Sequence, residues 1–367
     1  MSENNTDYIP TIHDVAKEAG VSRATVDRVI FKRGGVAQNT IERVNDVIQR
    51  LGYRANPNAS MLASRKRLTI ACLIPRFEEG DYWSVACKGF TNGVTAIKTC
   101  DIKTDIHVFD PDSIDSFREE CSKIINSKPS GVITNVVFAD EVKQFAYRLD
   151  AAGIPYAFVD QKIDGLNYSL YFGADPYEAG YLGAYLLTHR MEVKDIAIIR
   201  LIRDMEQKAD PNKVRRQGVA DYIAENCPGC RLHTIFIPPH EPETTYKILD
   251  TFFKEHREIK HLIMANSRVH LIADYLRRNP CTERHVVGFD DLEKNIAALN
   301  EGLVEFLVTR NIPMQSFYTI SQLASVIVSG KKAPERDNLV HMDILHRLNS
   351  GHYAEQIYKQ SVPDKNF

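Results

Sequence analysis

Two groups of side chains in this sequence are spaced for recognition chemistry. The first lies in the stretch TIHDVAKEAGVSRATVDRVIF, residues 11 to 31. Here Arg23, Ala24, Thr25, Asp27 and Arg28 fall on the outward side of a helical pattern whose inward side is Val26, Val29 and Ile30. Guanidinium groups near a helix start can reach guanine edges or phosphates, and the small Ala24 permits close approach. Thr11 and Ser22 stand at the N-cap positions of two helical segments, where a hydroxyl serves the free backbone N–H groups. Asp27 brings an anion to the same surface. It either pairs with Arg23 four residues earlier or accepts from a cytosine amino group.

The second group follows short apolar runs. Arg76, Phe77, Tyr82 and Trp83 come after LTIACLIP, Asp160 and Gln161 after PYAFV, and Arg203 after IAIIRLI. Asn266 and Ser267 come after HLIMA, and Asp290 and Asp291 after HVVGF. Arg215 opens a helical segment that reaches Gly218, and Arg310 follows FLVT. Open α/β sheets bind ligands beyond the carboxyl ends of their strands, so these residues converge if the runs are parallel strands. Arg76, Arg203 and Arg310 supply forks suited to carboxylate or phosphate. The alternative is that they neutralise Asp160, Asp290 and Asp291 around an uncharged ligand.

Covalent and metal chemistry find little support. There is no P-loop, no GxGxxG after a strand, no GxSxG elbow and no HExxH, which argues against an enzyme. Cys227 and Cys230 form CPGC between a helix and a strand, where Pro-Gly makes a turn; without a second CxxC or a histidine pair no zinc site is expected. No cofactor is expected either.

The elements that must position these groups follow from periodicity. Ile12, Val15, Ala16 and Ala19 make one apolar face, Gly20 and Val21 turn the chain, and a third helix from Gln38 to Leu51 carries Ile41, Val44, Val47, Ile48 and Leu51. From Leu68 onward, apolar runs alternate with helical segments near 85–98, 113–126 and 141–152, then 179–189, 213–225, 244–256 and 273–279. That alternation predicts α/β architecture with two doubly wound parallel sheets.

Composition agrees with such a chain. Its 367 residues are 44% hydrophobic, enough for a small headpiece and a larger two-lobed domain. The net charge is -2, yet residues 1–67 hold a surplus of Lys and Arg, so basic charge is gathered where phosphate would be met. No apolar run of membrane-spanning length is present, and the polar start MSENNTDYIP lacks the features of a secretion signal, pointing to a cytoplasmic address. Seven scattered cysteines suggest no disulfide framework.

The first stretch resembles the LacI/GalR family of bacterial transcription regulators, whose headpiece reads TIxDVAxxAGVSxxTVSRV and whose third helix ends LGY. Thr11, Asp14, Val15, Ala16, Ala19, Gly20, Val21, Ser22, Thr25, Val26, Arg28 and Val29 match, as do Leu51, Gly52 and Tyr53. Asp27 departs from the usual serine, and Ala37 from a common capping serine. The resemblance implies a lambda-repressor-like three-helix helix-turn-helix headpiece at 11–54, after a disordered start at 1–10. It implies a hinge helix at 55–67 that places Ala59 and Leu62 in the minor groove, where a leucine wedge bends DNA. Pro57 comes two residues later than the family's proline, so that helix starts late. The remainder, 68–350, is implied to be a periplasmic-binding-protein-like I domain, followed by a tail at 351–367. One lobe would comprise 68–172 and 311–333, the other 173–310 and 334–350, with crossings near Gly173, Arg310 and Pro334.

In sugar-binding relatives, aromatics after the first strand stack on a sugar face while Asp, Asn and Arg hold hydroxyls. The matching residues are Tyr82 and Trp83 for stacking and Asp160, Arg215, Asn266 and Asp290 for polar contacts. The same relatives often have glutamine where Arg310 stands, which raises the prospect of a sugar acid or phosphosugar. The implied assembly is a homodimer on a palindromic operator, because the tail lacks the leucine heptads of a tetramer. Control by a corepressor or a protein partner is the competing reading.

Overall fold

The structure, a computed structural model, describes residues 11–30, 34–51, 67–97, 101–189, 191–201, 212–238, 241–280, 283–351 and 353. The expected disordered start, the hinge residues Ala59 and Leu62, Arg203 and most of the tail lie outside the described residues. The chain divides into two compact units, Met1–Lys66 and Arg67–Phe367.

The first unit is built from α1 (Ile12–Glu18), α2 (Arg23–Ile30) and α3 (Gln38–Leu51). The Asp14 carboxylate accepts from the Thr11 backbone N–H at 2.8 Å and from its hydroxyl at 2.6 Å, closing the start of α1. Gly20, with φ +64°, makes the left-handed bend that lets the Val21 N–H reach back to the Ala16 carbonyl. Val15, Ala16, Ala19, Val26, Val29, Val44 and Val47 form the core, the apolar set that the helical spacing predicts.

In the second unit, β1 (Leu68–Pro75), β2 (Ile102–Phe109), β3 (Gly131–Thr134), β4 (Tyr156–Val159) and β5 (Leu170–Gly173) come first. Then follow β6 (Asp195–Leu201), β7 (Arg231–Ile237), β8 (His261–Met264), β9 (His285–Phe289), β10 (Phe306–Thr309), β11 (Asp337–Leu339) and β12 (Asp343–Leu345). They form two six-stranded sheets, ordered β11-β5-β4-β3-β1-β2 and β12-β10-β9-β8-β6-β7. All neighbouring pairs are parallel except β10 with β12. Helices cover the sheets: α4 (Tyr82–Ala96), α5 (Ile114–Ser127), α6 (Ala139–Ala152), α7 (Pro176–Thr188), α8 (Lys213–Asn226), α9 (Pro242–Glu255), α10 (His270–Arg278), α11 (Glu293–Asn300) and α12 (Ile312–Ser329).

Central strands are buried on both faces, which is why they read as unbroken apolar runs. Ile70, Leu73 and Ile74 of β1 have no exposure, each worth about 1.5–3 kcal/mol of burial. Edge strand β7 instead alternates, with Leu232 and Phe236 exposed and Ile235 and Ile237 buried.

The chain passes between sheets after β5, after β10, and between β11 and β12. The third passage was expected near Pro334. It falls later because β11 pairs with β5, through Asp337–Tyr171, Asn338–Phe172 and Leu339–Gly173, and so still belongs to the first lobe. Short β5, β11 and β12, together with α11, are not evident from the sequence pattern. Among the described residues no helix is long and apolar enough to cross a membrane.

Candidate DNA-reading helix and effector cleft

On α2, Arg23, Ala24 and Arg28 are exposed, while Thr25 and Asp27 are half-buried. Val26 and Val29 anchor the opposite side in the core. The Ser22 hydroxyl accepts the Thr25 backbone N–H at 3.2 Å and lies 2.9 Å from the Thr25 hydroxyl. Ser22 thus fixes the first turn from which Arg23 and Ala24 project. A short helix held by its cap and two valines, with two guanidinium groups outward, can be laid against a charged, edge-patterned surface.

The second unit brings its polar residues together where the two sheets face each other. The first contributor is Asp160, immediately after β4, and its counterpart Asp290 is immediately after β9. Both adopt left-handed backbone, with φ of 68° and 67°, which is uncommon outside glycine. The two bends are equivalent: the Asp160 N–H donates to the Phe172 carbonyl of β5 and the Asp290 N–H to the Val308 carbonyl of β10, each at 3.0 Å. Each sheet therefore turns one carboxylate out of its strand end in the same way.

Arg310, the residue after β10, joins them. Its Nε donates to Asp290 Oδ1 at 3.0 Å and its Nη2 to Asp290 Oδ2 at 2.8 Å, a bidentate pair. Its Nη1 donates to Asp160 Oδ1 at 2.6 Å. The Tyr82 hydroxyl donates to the same Asp160 oxygen at 2.8 Å, and the Tyr82 ring centre lies 5.1 Å from the Arg310 guanidinium carbon. The Ser267 hydroxyl donates to Asp290 Oδ2, and the Tyr171 hydroxyl to the Asp160 carbonyl at 3.2 Å.

Burial opposes charge on both Asp290 and Arg310. Each outweighs that cost for the other: Arg310 holds the Asp290 carboxyl below its ordinary range, and Asp290, with Asp160, holds the Arg310 guanidinium protonated. Burial, then the neighbouring Asp160, pushes the Tyr82 phenol up and keeps it a donor. Asp291 is pushed up to about 6 by burial and by Asp290 beside it.

Arg215 is 2% exposed. Its Nη1 donates to the Ala265 carbonyl at 3.0 Å, its guanidinium carbon lies 4.5 Å from the centre of the Phe289 ring, and its Nε has no partner among the described residues. Burial and the nearby Arg310 bring its pKa down to about 10, so it stays charged at neutral pH. Close contact of α7 with α8 fixes it: a Cβ on Gly180 would lie 1.9 Å from the Arg215 carbonyl oxygen. Asn266 accepts the Arg268 backbone N–H at 3.0 Å.

Some expected site residues stand elsewhere. Arg76 is exposed and paired with Asp110, which follows β2, so it lends no charge to the Arg310 cluster. Phe77 packs with the first lobe's apolar core. Trp83 meets Tyr82 edge-on at 5.1 Å, and the Tyr82 face expected to receive a sugar is approached by Arg310.

Other residues in the site carry no signal in the sequence. Buried Asn295 donates from Nδ2 to the carbonyls of Ser267, Phe289 and Asp290, tying the ends of β8 and β9. Gln315 donates to the Arg310 carbonyl. Arg268 pairs with Asp81 at 3.1 Å, a second link between lobes. Cys227 and Cys230 are free thiols on a turn closed by the Cys230 N–H to the Cys227 carbonyl, with Gly229 at φ +82°. Among the described residues, no three His, Cys, Asp or Glu side chains are grouped to hold a metal.

Comparison with known proteins finds relatives for both parts of the chain. Residues 70–332 match the family described as Periplasmic binding protein domain, and residues 11–56 match Bacterial regulatory proteins, lacI family. Catabolite control protein A of Streptococcus mutans is 46% identical over 94 residues, a stretch that spans 26% of this chain and only 28% of that protein. A crystal structure of a candidate LacI transcriptional regulator from Bacteroides fragilis superposes with TM-score 0.75 at 29% identity, covering 78% of this chain and all of the other. A solute binding protein from Bacillus halodurans with bound myo-inositol shares the fold at TM-score 0.68 and 15% identity, covering 80% of this chain and 99% of the other. The chain belongs to the periplasmic binding protein domain family, and ahead of that domain it carries a headpiece matching the lacI family of bacterial regulatory proteins.

Proposed function

We propose that this protein is a sequence-specific DNA-binding repressor, not an enzyme, acting as a homodimer on a palindromic operator and released by an uncharged sugar or polyol held between its lobes. The observation that carries the effector class is the charge balance of the cleft. Arg310 is matched by Asp160 and Asp290, and Arg76 is taken up by Asp110, so buried Arg215 is the remaining fork without a carboxylate partner among the described residues. Two cations, Arg215 and Arg310, thus face Asp160 and Asp290, with buried Asp291, ionised above about pH 6, beside them. A carboxylate or phosphate would add negative charge to a buried site that holds at least as many carboxylates as cations, whereas hydroxyls can both donate to the aspartates and accept from Arg215 and Asn266. The likeness to a solute binding protein with bound myo-inositol supports the same class.

Control of DNA affinity by an effector follows from linkage, with release the direction favoured and activation the alternative. An effector that binds one lobe arrangement better shifts the population toward it, and a dimer couples that shift to two reading helices. The test is titration of the purified protein with neutral sugars, polyols, uronic acids and phosphosugars, following emission of Trp83, the single tryptophan. Saturable response to a neutral compound, with release of a selected operator, is expected. Preference for an acid form over every neutral one overturns the effector class, and failure to select any operator overturns the regulator.

A further inference from the structure

Asp160 and Asp290 belong to different sheets, and the only group that touches both among the described residues is Arg310. Its bonds to Asp290 lie within the second lobe, since β9 and β10 are neighbours. Its bond to Asp160 crosses to the first. We infer that Arg310 is a clasp: the cleft is held closed by the protein's own groups, so closure does not depend on an effector to bridge the lobes.

Four observations carry this. The crossing bond is short, at 2.6 Å, and buried, with side-chain exposures of 6% and 13% at Arg310 and Asp160. The receiving carboxylate is held in place by the Tyr82 hydroxyl and by the bend at Asp160, and the donating fork by its bidentate grip on Asp290. The Arg310 carbonyl is itself fixed by Gln315 on α12, the helix that follows the crossing. Around the clasp the lobes meet twice more, through Arg268 and Asp81, and through a small apolar cluster of Ala86, Leu292 and Ile312 against which Tyr82, Trp83 and Val85 pack.

A glutamine at this position could not do the same. Its single amide cannot donate a parallel pair to one carboxylate and a third bond to another, whereas the guanidinium has five N–H groups in a fixed fork. Separating the lobes leaves the Arg310–Asp290 pair whole and breaks only the arm to Asp160. Loss of one charge-assisted bond of this kind lowers a closed-to-open ratio by about tenfold to a hundredfold. The clasp deepens the proposed effector control without requiring it, because an effector in this cleft meets lobes that are already joined.

Trp83 reads the state directly, as it packs on a cluster to which both lobes contribute. The experiment compares full-length wild-type protein with Arg310→Gln and Asp160→Gly, all without added sugar, by Trp83 emission maximum and acrylamide quenching. Glycine tolerates the left-handed backbone at 160, so Asp160→Gly removes the crossing arm and spares the pair within the second lobe. Both variants should show a red-shifted emission and a severalfold rise in quenching, while circular dichroism and a cooperative unfolding transition confirm the fold. Unchanged emission and quenching in a folded Asp160→Gly protein overturns the clasp. That result is independent of the sugar and operator titrations, so the clasp can fail while the effector reading stands, or stand while the effector reading fails.

Discussion

Arg28 leaves α2 on the exposed side of a helix pinned by Val26 and Val29, so its reach is set by two valines and a serine cap. An Arg28→Ala protein should lose about 1–3 kcal/mol of discrimination at one operator position, the scale of a bidentate base contact. Binding measured across single-base operator variants checks this; an equal loss on every sequence would make Arg28 a phosphate contact instead. Single residues of the cleft differ in how legible they are. Asp160, Asp290 and Arg310 could be read because each follows an apolar run, and strand ends face the cleft in any parallel sheet. Arg76 satisfies the same rule but its charge goes elsewhere, since Asp110, just after the neighbouring strand β2, pairs with it. Which strand lies beside which is not written in either segment. Asn295 gives no sign at all, being one of several polar residues in EKNIAALN, a segment too short for its helix to be read from the pattern.

Helices α4, α6, α7, α9 and α10 begin at Tyr82, Ala139, Pro176, Pro242 and His270, each two or three residues before the periodicity suggests. The cause is geometric. A crossover helix starts beside the end of the strand it follows, and the first residues of α4, α6, α7 and α9 are mainly polar or aromatic, so the apolar stripe appears later in each. Strands β11 and β12 escape the pattern for a different reason: DNL and DIL are too short to display a period and are not apolar runs. The packing of α7 on α8 yields a prediction. A Gly180→Ala methyl would strike the Arg215 carbonyl, which is backbone and cannot rotate away, and the matching contact at Gly218 would prevent easy sliding. The expected loss is about 1–3 kcal/mol of stability, typical of overpacking, with severalfold weaker effector binding because Arg215 moves with its helix. Urea unfolding and effector titration read the two effects, and a variant with wild-type values in both would mean the helices separate freely.

Across the whole molecule, acid should weaken the fold through a pair far from the cleft. His261 and His285 open β8 and β9 and stack at 4.9 Å between centres, 17° from parallel, with His261 Nε2 buried and without a hydrogen-bond partner among the described residues. Burial and then the His285 charge bring His261 down to about 4; Glu305, paired with His285, and Lys260 are the other charges near it. The unfolded chain takes up this proton near the ordinary histidine value of about 6.5. Below that pH the unfolded form gains protons that the folded form refuses, so stability is full above about 6.5 and falls as pH drops toward 4. The loss from this group should be on the order of 2 kcal/mol. Denaturant midpoints of the wild type and His261→Gln across that range check it: the variant's curve should be flatter, and parallel curves would assign the acid loss to other groups.

The threefold passage between sheets also sets a timetable. The first lobe needs α12 against its core, through Ile320, Leu323 and Ala324, and β11 on its edge. Both are translated only after residues 195–309, which contain β6 to β10 of the second lobe. During synthesis β1 to β5 therefore emerge with one face covered by α4 alone and wait while another sheet is made, a period in which exposed strands invite wrong pairing. The late helix that completes the first lobe is also the segment that begins beside Arg310, so finishing the core and setting the clasp are one event in the life of a new chain.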